Sequence, residues 1–442
     1  MTVEALARHI DEGLREVPLF DIHTHLVGGR LGAAGLHDVL LYHMLISDLY
    51  SAGCPNGRRL TQFPGEPGEA EAHSRIVEAL PFLRRVVNTS SYWGLRLVLR
   101  DLYGWEREIT DTNWRELNGV IRERAADRGW AHSVLDRAAI RLSGTELARR
   151  GAKEGDGRLV YALEWGFFTR CQWGEFDTAL YELERCWGRT PDSPAPIGAG
   201  PRPPTDRVIH SVDDVHAAVE HYVSAIPFPD VYAMATHIST DISFGTPTED
   251  ELAQALKARD GAGPAERDLY ASYVNEALLT ALEPHADAIV FQFSLGAEPL
   301  PFETGSRLGQ RTIAQLAEMI ARHSDIRFQC FLASAHGNQS LCTLARELPN
   351  LSLAGYWWHS FFPEVIGRTI SERLDMLPVN KQVGFFSDAY CVEWAYAKAC
   401  IVRKLLSQSL AQRVMWGQYD ASEALRVAES ILWSGPRELL GV

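Results

Sequence analysis

Eight apolar runs of strand length constrain the fold of this chain more than any other feature of its sequence. They fall at 17–22, 138–145, 158–165, 231–239, 288–296, 326–334, 351–358 and 383–389, and most lead into helix-period segments such as 311–323 and 339–348. Alternation of this kind specifies a parallel sheet with crossover helices. Eight repeats predict an α/β protein, a (β/α)8 TIM-type barrel, and 442 residues are enough for one such barrel spanning 1–442 with insertions. The gap between the first and second runs is too long for a single crossover. A Gly/Pro-rich turn at 55–68 and helical stretches at 69–87 and 111–136 fill it, so 26–132 is expected to be a helical insertion, a lid over the carboxyl face of the barrel. The stretch 192–206 is rich enough in Pro and Gly to be a loop, and 1–16 reads as an amphipathic helix.

Charge narrows the partners. With 43 Lys and Arg against 57 Asp and Glu the formal charge is −14, and no basic cluster interrupts it, which argues against a nucleic-acid surface. No stretch approaches 18 consecutive apolar residues and the first helix lacks the pattern of a signal peptide, so no membrane association and a cytoplasmic location are expected. Seven scattered cysteines without Cys-x-x-Cys spacing read as thiols in a reducing compartment. The expected partner is a small-molecule substrate; a homo-oligomer is compatible with the sequence.

The chemistry concentrates at strand ends, where barrels of this type carry it. The first run ends in Asp21-Ile22-His23-Thr24-His25. Strand alternation would turn Asp21, His23 and His25 one way and Phe20 and Ile22 the other. Two imidazoles on one wall are half of a metal site, although His-x-His also arises by chance. The eighth run ends in Ser387-Asp388, a carboxylate that needs a cation or several donors, unless it caps the helix starting near Val392. His237, with Asp241 close behind, ends the fourth run and is either a third ligand, an acid/base or an ordinary loop histidine. His336 and His359 read more simply as loop residues. His23, His25 and Asp388 are thus the expected ligands of one divalent ion, Zn2+ first, with Mn2+ and Fe2+ also suited to two His and one Asp.

These residues resemble the amidohydrolase superfamily, and further stretches resemble its uronate isomerase branch. Gly355-Tyr356-Trp357-Trp358-His359-Ser360-Phe361-Phe362 is similar to the Trp-Trp-Phe signature at strand seven, and Val383-Gly384-Phe385-Phe386-Ser387-Asp388 to the end of strand eight. Leu97-Val98-Leu99-Arg100 with Tyr103-Gly104, the segment from His43 to Gly53, and Phe291-Gln292-Phe293-Ser294-Leu295-Gly296-Ala297 have counterparts as well. The resemblance spans nearly the whole chain. It implies an aldose–ketose isomerisation of a sugar acid through metal-assisted proton transfer, with Asp388, His237 and His43 as candidate proton carriers. Arg96, Arg100, Trp357, Trp358 and Tyr390 are the candidate substrate contacts.

Four positions depart from the branch. Ser294 stands where it has a histidine, Glu164 and its neighbours replace an Arg-containing stretch after strand three, Tyr390 stands for an arginine beyond strand eight, and Met44 for a tyrosine beside His43. Exchanging two arginines weakens the grip on a carboxylate, because bidentate guanidinium pairing is the strong way to hold one. The rival expectation is therefore a mononuclear hydrolase of the same superfamily, acting on a lactone, ester or amide. Strand four offers no bridging Lys or Glu for a second ion. A binding protein on a decayed barrel is the third reading, and retention of both histidines and Asp388 speaks against it.

Overall fold

The computed structural model describes residues 2–55, 68–150, 157–166, 176–187, 207–238, 243–295, 309–332, 335–356 and 362–442, without the side chains at 176–178, 237–238, 260 and 336. Among these, β1 (Leu19–Asp21), β2 (Ile140–Glu146), β3 (Leu159–Glu164), β4 (Val231–Ile238), β5 (Val290–Leu295), β6 (Arg327–Leu332), β7 (Leu351–Ala354) and β8 (Gln382–Val383) pair in sequential order, every pair parallel. Each overlaps one of the eight apolar runs, β8 only at Val383. The sheet curls into a TIM-like barrel, and beyond the strand ends the last and first segments meet: Asp388 N–H donates to His23 O (2.9 Å) and His25 N–H to Ala389 O (2.8 Å).

Strands buried on both faces need apolar residues throughout, which is why the runs read as nearly continuous. One set of side chains, including Phe20, Ile22, Ala162, Tyr232, Val290, Phe331 and Phe386, fills the barrel centre. The opposite set joins the larger core between sheet and helices. Gly144 is required at the close approach of β2 to β1, since a Cβ there would lie 2.2 Å from Tyr232 Oη and 2.6 Å from Ile22 O.

Helix α1 (Val3–Leu14) precedes the sheet, and α2 (Leu36–Leu40), α3 (His43–Ser51), α4 (Glu69–Ala79), α5 (Ser90–Tyr103), α6 (Trp114–Ala126) and α7 (Trp130–Arg137) run between β1 and β2. Two of the expected helices are shorter than their periodicity. The segment 69–87 tightens to a 3-10 turn at Leu80–Arg85, where Pro81 has no N–H to give. The segment 111–136 breaks at Asp127–Gly129, where the Asp127 carboxylate takes Gly129 N–H (2.8 Å) and the chain restarts at Trp130. Between later strands lie α8 (Phe176–Cys186), α9 (Val212–Ser224), α10 (Glu249–Lys257), α11 (Pro264–Leu282), α12 (Gln310–Arg322), α13 (Asn338–Glu347) and α14 (Pro363–Met376). After β8 come α15 (Val392–Met415), α16 (Ala421–Glu429) and α17 (Gly435–Leu440). Side-chain caps start several of them: Thr89 on α5, and reciprocal Ser211–Asp214 and Thr248–Glu251 boxes on α9 and α10.

The last two strands end earlier than the apolar runs. β7 stops at Gly355, which takes φ +52°, and β8 stops when Gly384 N–H turns to Ile431 O (2.6 Å) rather than to a neighbouring strand. The remaining apolar residues of run eight, Phe385 and Phe386, are buried as core. No helix among the described residues is long and apolar enough to cross a membrane.

Candidate metal centre

Regular strand geometry in β1 ends at Asp21, so alternation does not carry on to the imidazoles. Phe20 and Ile22 enter the barrel centre. His23 rests against the same centre, its ring 5.7 Å from that of Phe331 and 5.8 Å from that of Phe386. His25 meets it edge-on at 5.2 Å. Asp21 does not join them. Its Oδ1 accepts the Ser387 N–H (2.7 Å), and burial pushes its carboxyl up to about 7 against the pull of that bond and of Lys398.

Asp388 is the centre of the cluster. It takes φ +53°, a left-handed conformation that Asp tolerates better than most residues, and it is not a helix cap, since Cys391 holds that position before α15. The peptide is fixed from three sides. Its N–H goes to His23 O, its carbonyl accepts Tyr42 Oη (3.1 Å), and the preceding Ser387 carbonyl accepts Lys398 Nζ. With the backbone held, Oδ1 lies 3.1 Å from His25 Nε2 and 3.6 Å from His23 Nε2, and Oδ2 lies 3.4 Å from His43 Nε2. Burial alone would raise this carboxyl, but hydrogen bonds from the three imidazoles hold it well below the usual carboxylate range.

The imidazoles respond unequally. Burial would lower His25, yet bonds to Asp388 and to Glu146 bring it up to about 9. His43 is shifted the other way, since burial outweighs its bond to Asp388, and its neutral form is favoured. Tyr390 stacks on His25 with centroids 4.6 Å apart and planes at 19°, and meets His43 edge-on at 5.4 Å.

The donor set fits a divalent metal ion. His23, His25 and Asp388 each offer one ligand atom, all within 4.8 Å of one another. For bonds of about 2.0–2.1 Å a tetrahedral ion places its ligands roughly 3.3 Å apart. The separations of 3.1 and 3.6 Å from Asp388 Oδ1 to the two Nε2 atoms bracket that value. Two neutral nitrogens and one anionic oxygen suit Zn2+, Mn2+ or Fe2+.

Beside the cluster runs a narrow cleft lined by His23, Gly144, Glu146, Glu164, Thr236 and Ser294, among others. Glu146 is the residue that the sequence reading missed. It falls one position past the second apolar run yet ends β2, with Oε1 3.3 Å from His25 Nδ1. Burial pushes the Glu146 carboxyl up, but His25 and Arg149 hold it well below its ordinary range. The available signal was the one applied to Asp388: an acidic residue directly after an apolar run.

The other candidates separate. Tyr390 and His43 are brought to the cluster. Arg96 and Arg100 lie on α5, where Arg96 Nη1 donates to Glu106 O (3.1 Å) and Arg100, half exposed, pairs with Asp101 (2.6 Å). Among the described residues, neither has a contact reaching the imidazoles. His237 is on β4 opposite Ser294, with its side chain outside the described residues, as is that of His336. Trp357, Trp358 and His359 lie outside them altogether, as do Asp241 and the loop at 192–206.

No family model and no curated protein sequence matches this chain. Solved structures do. A uronate isomerase from Bacillus halodurans C-125 is 19% identical, with a TM-score of 0.71 over 100% of this chain and 97% of that one. A glucuronate isomerase from Caulobacter crescentus is 16% identical, with a TM-score of 0.78 over 99% and 94%. A protein from Lactobacillus casei ATCC 334 described as a metal-dependent hydrolase is 12% identical, with a TM-score of 0.60 over 98% and 97%. The fold is thus that of uronate isomerases and of a metal-dependent hydrolase, shared from end to end.

Proposed function

We propose that this chain is a uronate-isomerase-like metalloenzyme: a single (β/α)8 barrel, with 26–132 as a lid, binding one divalent ion through His23, His25 and Asp388. It interconverts aldose and ketose forms of a sugar acid or related polar small molecule by moving one proton between adjacent carbons and one between their oxygens, in the cytoplasm. The observation that carries this reading is a carboxylate shared by two imidazoles from beyond the end of β1 and one from the start of α3, in a fold that follows uronate isomerases over its whole length. When bound, the ion supplies a Lewis acid that stabilises negative charge growing on a substrate oxygen.

The chain's own residues do the rest. His43, kept neutral by burial and 3.4 Å from Asp388 Oδ2, is suited to accept a proton from carbon and return it to the neighbouring one. Asp388 Oδ2 is the second carrier, and His237 on β4 is a third candidate. Tyr390, stacked on His25, forms a wall that excludes water from that ring. Tyr42, from the segment between β1 and β2, reaches the Asp388 carbonyl, which supports the role of that segment as a cover.

A hydrolase is the second reading, favoured by the cleft itself. Glu146 and Glu164 line it and Tyr390 stands at its metal side, at positions where the isomerase resemblance implies arginines for two of the three. In that case Asp388 receives the proton of a water attacking a lactone, ester or amide carbon.

Proton NMR of metal-loaded protein with D-glucuronate, then D-galacturonate, in D2O distinguishes the two. Ketose signals with deuterium at the carbon beside the carbonyl are expected. No turnover by protein holding stoichiometric metal would overturn the isomerase reading and move the search to lactones, esters and amides.

A further inference from the structure

Glu146 has no ligand role in the centre described above, yet its Oε1 lies 3.3 Å from Nδ1, on the far side of the His25 ring from Asp388. We propose that Glu146 is the positioning residue of His25: its carboxylate, with Oε1 3.3 Å from Nδ1, favours the proton on Nδ1 and so the tautomer whose Nε2 lone pair points at the metal position beside Asp388. The inference rests on the metal reading of His23, His25 and Asp388.

A neutral imidazole has one N–H, and the partner of one nitrogen decides which lone pair the other offers. His25 lies between two carboxylates, with Asp388 Oδ1 3.1 Å from Nε2 and Glu146 Oε1 3.3 Å from Nδ1. With the ring between them, Glu146 cannot share an ion held on the Nε2 side. The glutamate is itself oriented, because Arg149 Nε–H donates to its other oxygen, Oε2, at 3.1 Å. Tyr390 stacked at 4.6 Å fixes the plane of the ring, leaving its two ends to the carboxylates.

The backbones that carry the pair are locked together on both sides of the contact. Thr24 N–H and Oγ1 both donate to Gly144 O (2.7 and 2.8 Å), and Thr145 Oγ1 donates to Leu26 O (2.8 Å). Gly28 N–H donates to Arg149 O (2.8 Å), and a Cβ on Gly28 would stand 2.0 Å from Arg150 O. The loop after β1 is therefore held directly over the end of β2, and the His25–Glu146 approach is built into the fold rather than left to side-chain chance.

The test is Zn2+ affinity, measured by competition with a chromophoric chelator on wild type, Glu146→Gln and Glu146→Ala, with nitrogen-15 NMR of the histidine rings. Wild type should bind one Zn2+ with His25 in the Nδ1–H form. Glu146→Ala should weaken binding by about 10–100-fold, the usual cost of removing a ligand's outer partner. Glu146→Gln, which keeps an acceptor oxygen, should lose less, and serves if the alanine variant does not fold. Variants binding Zn2+ within about twofold of wild type, or a wild-type His25 in the Nε2–H form, overturn the inference and leave the metal centre standing. Wild type without stoichiometric Zn2+ overturns both.

Discussion

Asp388 and Glu393 are both buried carboxylates where the chain enters α15, and they do opposite things. Glu393 accepts from groups that offer it protons: Ala33 N–H on Oε2 (3.0 Å), and Tyr103 Oη–H (2.9 Å) and Trp130 Nε1–H (3.0 Å) on Oε1. Those partners come from the loop after β1, from α5 and from α7, so one carboxylate pins three parts of the inserted segment to the barrel. Asp388 faces three imidazoles instead, each able to offer a lone pair once deprotonated. Burial of an acid therefore does not by itself mark a functional site. What marks it is whether the surrounding groups could serve a metal ion as well as a proton.

The contrast breaks most sharply at Asp388. Asp388→Asn keeps the left-handed backbone, which Asn also tolerates, but removes the anionic ligand. Bound metal should fall from one equivalent to near zero by elemental analysis, with activity down roughly a thousandfold or more. Zn2+ at 100 times its dissociation constant should stabilise wild type by about 2.7 kcal/mol and leave the variant unmoved. A variant that still holds stoichiometric metal would remove Asp388 from the centre.

Glu393→Gln should do the reverse. Its amide sets an N–H against either Ala33 N–H or Trp130 Nε1–H, neither of which can accept, at a cost of about 3 kcal/mol in urea unfolding, while bound metal stays at one equivalent. Loss of metal with unchanged stability would mean that the two carboxylates are not separable.

Protons should compete with the ion at Asp388 and not at Glu393. His25, raised to about 9, carries a proton below that pH in the metal-free protein, and a ligand must lose it. Apparent Zn2+ affinity should thus rise by about tenfold per pH unit up to about pH 9, with proton release seen by calorimetry in buffers of different ionisation enthalpy. An affinity flat from pH 6 to 8 would contradict it.

Asp21 gives the smallest effect. Pushed up to about 7, it binds a proton in the folded chain at pH values where the unfolded chain has lost it, so its contribution to stability falls as pH rises from about 4 through about 7. Asp21→Asn should remove that slope, cost about 1 kcal/mol or less below about pH 4, gain on wild type as pH rises towards 7, and keep Ser387 N–H satisfied through the amide oxygen. A loss near that of Glu393→Gln would show Asp21 to be ionised and structural.

The order and class of the eight strands were legible because burial on both faces forces apolar runs, and those runs survive in any reading of the chain. His23, His25 and Asp388 were legible for a related reason, since polar residues at the ends of apolar strands stand out against them. Asp21 shared the His-x-His pattern but not its role, because β1 ends at Asp21 and the chain leaves strand geometry before the histidines. Arg100 matched a family pattern and Arg96 offered a second positive charge one turn before it, yet the face that a helix turns to the barrel is set by its packing, and their neighbours are Asp101 and Glu106. Glu146 and Glu393 are acids like many others in the sequence; His25 and Arg149 come to the first, and Ala33, Tyr103 and Trp130 to the second, only when the sheet and the inserted helices close around them. Local residue pattern determines which segments must be buried, whereas the partners of a buried charge come from chain that is distant in sequence, and the tertiary fold alone brings them within reach.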